Sequence, residues 1–85
     1  MSRGVVATVQ DIADWMLGEL EKDGYLWYRY AVRQVLGRFS HRFIFVDKHR
    51  QLVIDRDVLK EFERQIDGYA VWDGRRRQWR RVRSA

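Results

Sequence analysis

Three stretches of this chain carry apolar residues at helical spacing, and after the second of them the spacing changes to short continuous runs. Val9, Ile12, Ala13, Met16, Leu17 and Leu20 fall at i, i+3, i+4, i+7, i+8 and i+11, which predicts an amphipathic helix. Thr8, with Asp11 three residues later, has the form of a capping box at its start. Gly24 suits a left-handed C-cap, and Tyr25 beyond it is placed to fold back on the last turn. Tyr28, Ala31, Val32, Val35, Leu36 and Phe39 repeat the spacing in a second helix, with Arg29, Arg33 and Arg38 on its other side. Trp15 lies off the first stripe, so it either packs on a second neighbour or marks a contact surface.

Phe43 to Val46 and Leu52 to Ile54 are apolar, β-prone runs joined by the polar segment Asp47 to Gln51, and they read as a hairpin whose first strand is covered on both faces. Asp55 is a good N-cap for a third helix with Val58, Leu59, Phe62 and Ile66 buried and Gly68 ending it. Tyr69 to Trp72, the Asp73-Gly74 turn signal and Gln78 to Arg83 form a second hairpin. The reading is a compact α+β single domain over residues 1–85, in the order α-α-β-β-α-β-β, with an ordered core over about residues 8–83. Eighty-five residues leave no room for a second domain. Without cysteine the fold depends on its apolar core, expected from Val9, Ile12, Met16, Leu20, Val32, Val35, Leu36, Phe43, Phe45, Leu59 and Phe62. Trp72 and Trp79 are expected to seal its edge.

Charge is distributed unevenly. Residues 74–85 contain Arg75, Arg76, Arg77, Arg80, Arg81 and Arg83 and no acid, whereas the other 73 residues hold eleven Lys and Arg against twelve Asp and Glu. The whole net charge of +5 therefore arises from the C-terminal hairpin. Guanidinium groups make bidentate contacts with phosphate and indoles stack on unpaired bases, so this segment is the first candidate for binding nucleic acid or another anion. Arg29 and Arg33 on the second helix are the next. The third helix holds Asp55, Asp57, Glu61, Glu63 and Asp67 against Arg56, Lys60 and Arg64, a balance that the phosphates of a major groove repel. The alternative is a protein-interaction module, docking on an acidic protein or forming a homo-oligomer, expected as a dimer, through an apolar surface that includes Trp15 or Trp27.

Enzyme chemistry has little to stand on. There is no cysteine, no H-E-x-x-H, no phosphate-binding glycine loop and no serine at a recognisable nucleophile spacing, so no catalytic residue, metal or cofactor is expected. A metal-independent ribonuclease built from His41, His49 and the Arg75 to Arg81 cluster ranks third. The longest apolar run, Phe43 to Val46, is far too short to span a bilayer, and a soluble cytoplasmic protein without a membrane partner is expected.

The segment from Ile12 ending in D-G-Y-L, the run F-I-F-V, the helix V-L-K-E-F and the closing V-W followed by W-R-R-V-R resemble a small bacterial family of uncharacterised domains, of the kind encoded on integron gene cassettes. That resemblance implies one small winged-helix-like domain and transfers no catalytic residue. The hairpin Phe43 to Ile54, placed before the third helix, departs from a plain winged helix.

Overall fold

The computed structural model describes residues 7–82, and the chain runs through α1 (Val9–Asp23), β1 (Tyr25–Trp27), α2 (Tyr28–Arg38), a 3-10 turn (His41–Phe43), β2 (Ile44–Val46), β3 (Leu52–Ile54), α3 (Arg56–Gln65), β4 (Ala70–Asp73) and β5 (Gln78–Arg81). The order expected from the sequence holds, with one three-residue strand added between the first two helices. Arg83 lies outside the described residues.

Local sequence accounts for the helix ends. Thr8 Oγ1 accepts from the Asp11 N–H at 3.1 Å and Asp11 Oδ2 from the Thr8 N–H at 2.9 Å, closing the capping box. Gly24 takes φ 85°, a left-handed conformation that costs glycine little, and its N–H donates to the Leu20 carbonyl. Tyr25 then starts β1. Asp55 caps α3 by accepting from the Asp57 N–H at 2.7 Å.

Two separate antiparallel sheets result. β1, β5 and β4 form a three-stranded sheet with β5 in the middle, in which Leu26 lies opposite Trp79 and Trp79 opposite Trp72. β2 and β3 pair only with each other, Ile44 opposite Ile54 and Val46 opposite Leu52. The core joins Ile12, Ala13, Met16 and Leu20 of α1, Ala31, Val32 and Val35 of α2, and Val58 and Phe62 of α3 to Leu26 and Trp79 of the larger sheet. Trp79 is 2% exposed and meets the rings of Phe62 at 5.0 Å and Trp72 at 4.8 Å. Burying an indole of about 200 Å² is worth about 5 kcal/mol before entropy is counted.

Several expected core positions lie elsewhere. Phe45 and Val46 are 52% and 63% exposed, because β2 and β3 lack a third strand and turn only Ile44 and Ile54 into the core, and Leu36 of α2 is also open to solvent. Coverage of that strand on both faces does not occur. Val9, Phe43 and Leu59 are partly buried against the core's margin. Trp72 stays half-exposed on the edge strand β4, so Trp79 alone is sealed inside. Trp15 packs on a second neighbour: its ring lies 5.9 Å from Phe39 and 6.4 Å from Tyr30, with the Arg38 guanidinium 5.6 Å from its centroid.

Candidate nucleic-acid interface

Tyr28, the first residue of α2, ties three parts of the chain together. Its N–H donates to the Arg77 carbonyl at 3.0 Å, its hydroxyl accepts from the Ile54 N–H at 2.9 Å, and its ring contacts Trp79 and Trp72. The β4–β5 loop is thereby held against the start of α2. Within that loop Asp73 Oδ1 accepts from the N–H groups of Arg75 and Arg76 at 3.0 and 3.2 Å, an Asx-type turn. Arg77 then adopts φ 55°, and its guanidinium sits 5.6 Å from the centre of the Tyr28 ring.

The consequence is an open groove of about 980 Å³ between α2, the β4–β5 loop and the start of β3. Arg29 and Arg33, one helical turn apart on α2, line one side, and Arg75, Arg76 and Arg77 line the other. Trp27 and Tyr28 supply its aromatic surface, and Gln51 and Leu52 also line it. No acidic residue lines it. Among the described residues Arg29, Arg33, Arg75 and Arg77 make no ion pair, while Arg76 lies 3.7 Å from Asp73 Oδ2. α2 has neither a side-chain cap nor an acid in its first turn, so the positive end of its dipole adds to the arginine field.

Two parts of the sequence separated by over forty residues thus meet, and the six C-terminal arginines divide. Arg80 leaves the groove for the sheet, 3.8 Å from Asp73 Oδ2. It borders a shallower recess with Val71, Trp72 and Arg75. Arg81 lies 6.0 Å from the Tyr69 ring centre and donates to the Glu21 carbonyl, bracing the last strand against the end of α1. Trp27, 45% exposed, belongs to the groove, whereas Trp15 lies in the α1–α2 contact. His41 begins the 3-10 turn and His49 donates its backbone N–H to Asp47 Oδ1 in the β2–β3 turn; both are exposed and neither lines the groove. Tyr28 and Gln51 were not legible as groove residues. Tyr28 satisfies the helical stripe and Gln51 a polar turn; the pairing of β1 with β5 brings Tyr28 beside the arginines, and the bond from the Ile54 N–H to the Tyr28 hydroxyl holds β3, which Gln51 precedes, against α2.

No helix among the described residues is long and apolar enough to cross a membrane. No curated protein and no solved structure matches the chain. A family profile does match it, over residues 8–81, a span that takes in both the helical wall and the loop of the groove. The chain is therefore a member of DUF6953, a family of unknown function.

Proposed function

We propose that this domain is a non-enzymatic binding module whose arginine groove takes the phosphate backbone of a nucleic acid. The observation that carries the reading is the convergence of Arg29 and Arg33 with Arg75, Arg76 and Arg77 around one acid-free groove. Like charges gathered this closely repel one another, and a polyanion relieves that repulsion. The order of strands supports a winged-helix-like frame: the strand after α1 pairs with the last strand, and the β4–β5 loop stands where a wing would. Phosphate contacts position a protein without reading bases, so binding is expected to be largely indifferent to sequence.

The test is a salt titration with labelled oligonucleotides. Five neutralised phosphates give a slope of log affinity against log salt of about −4.5 on duplex DNA or −3.5 on a single strand. Replacing Arg29, Arg33 and Arg75 together with alanine should flatten it by about 2 to 3 units while leaving the fold intact, since exposed charges contribute little to stability. Absence of binding by the unaltered protein at about 50 mM salt would refute the reading.

A second reading, self-association as a dimer or docking on another protein, is favoured by Phe45, Val46 and Leu52 exposed together on the β2–β3 hairpin. Sedimentation equilibrium over a wide concentration range tests it. A single 10.4 kDa species throughout would exclude the dimer.

A further inference from the structure

The aromatic residues beside the groove identify the strandedness of its ligand. In β1, Leu26 faces the core, so Tyr25 and Trp27 project from the opposite face of the sheet. They are 44% and 45% exposed. Their centroids are 6.2 Å apart with planes at 80°, an edge-to-face contact that steadies both rings while leaving ring surface open to solvent. Tyr25 lies opposite Arg80 in the sheet. Trp27 lines the groove itself, and Arg29 follows two residues later. Tyr25 and Trp27 thus form an aromatic pair with Arg80 across the strand from Tyr25, and with Arg29 and the loop arginines sharing the groove with Trp27.

Duplex DNA has little use for such a surface, because its bases are already stacked on one another. The exposed face of α3 mixes Arg56, Lys60 and Arg64 with Asp57 and Glu63 and does not suit a major groove, while the basic helix α2 turns Arg29 and Arg33 into the groove that Trp27 lines. Unpaired bases have free π-faces that stack on aromatic side chains irrespective of sequence, while their phosphates follow a basic groove. We infer that the ligand is a single-stranded nucleic acid, its bases stacking on Tyr25 and Trp27 and its phosphates lying along Arg29, Arg33 and Arg75 to Arg77; this rests on the groove reading above. Trp27 takes the base nearest the groove, and Tyr25 the next toward Arg80.

The experiment compares three probes on the intact chain at one salt concentration: an oligothymidylate of about 12 nucleotides, an abasic strand of the same length, and the matching duplex. The oligothymidylate should bind at least about tenfold more tightly than the abasic strand, and more tightly than the duplex. Trp27→Leu should reduce oligothymidylate affinity about tenfold without altering abasic-strand affinity or the salt slope, and Tyr25→Leu should act in the same direction. Should Trp27→Leu fail to fold, Tyr25→Leu and the abasic comparison with unaltered protein decide the matter. Equal affinity for the two single strands, or tighter binding of the duplex, overturns the stacking inference and leaves the groove reading standing. Binding of none of the three overturns both.

Discussion

The two hairpins of this domain invert the usual relation between composition and burial. The strands β2 and β3 are written wholly in apolar residues, yet Phe45, Val46 and Leu52 face solvent. β4–β5 carries the densest charge in the chain, yet Trp79 and Gln78 of β5 are 2% and 5% exposed. The difference lies in neighbours. β5 has a strand on each side and Phe62 of α3 beneath it, whereas β2 and β3 have only each other. Apolar character makes burial favourable, but a residue is buried only where a second layer exists to cover it. The same arrangement explains how a buried strand can present a basic loop: the arginines occupy the connection and the outer face, and the inner face anchors them.

The sharpest way to break this comparison is to cut the anchor. Trp79→Ala should destabilise the domain by about 3 to 5 kcal/mol, measured as the shift in a urea melt, because the indole fills the junction of Phe62, Tyr28 and Trp72. A loss below about 1 kcal/mol would mean that β5 is not the centre of the fold.

Gly24→Ala comes next. At φ 85° a Cβ is strained whatever space surrounds it, and the Gly24 carbonyl accepts from the Arg81 N–H, so the substitution strains the junction that docks β5 against β1. A cost of about 1 to 2 kcal/mol is expected in the same melt.

Phe45→Ala supplies the contrast. Half-exposed and outside the core, it should cost under about 1 kcal/mol in the monomer. A cost near that of Trp79→Ala, growing with protein concentration, would show that a second copy covers the first hairpin.

The smallest effects belong to exposed carboxylates. Arg64 and then Gln65 hold Glu61 down to about 2 from its ordinary 4.5, and the N–H groups of Gln51 and then His49 hold Asp47 below its ordinary 3.8. Both folded values lie below the unfolded ones, so each contribution is complete above the ordinary value and is lost as pH falls through the folded one. The protection of the His49 and Gln51 amides from exchange, taken relative to an unstructured peptide at the same pH, should fall as the pH is taken below 3.8, and Asp47→Asn should remove most of that pH dependence. Unchanged protection on acidification would show that Asp47 does not hold the turn of the first hairpin.

Much of the fold was legible in the residues themselves because its signals are local. A capping box, a glycine at a helix end and an apolar stripe are decided within four residues of one another, and the structure reproduces them at Thr8, Gly24 and Asp55. β1 escaped notice because Tyr25, Leu26 and Trp27 are too few for a period, and they become a strand only when β5 arrives from over fifty residues away. The candidate site was half legible. Uncompensated charge marked Arg75 to Arg83, and helix geometry paired Arg29 with Arg33, but nothing in the sequence distinguished the arginines of the groove from Arg80 and Arg81.

By itself, then, the sequence determined the class of the domain, its three helices, their buried stripes and the concentration of positive charge near the C-terminus, since each depends on periodicity or composition over a short span. Tertiary structure alone decided which hairpin became the centre of the fold, which arginines gathered and which aromatic rings stayed open. Those outcomes depend on strand pairing across the whole chain, and pairing is a competition among partners that no single segment contains.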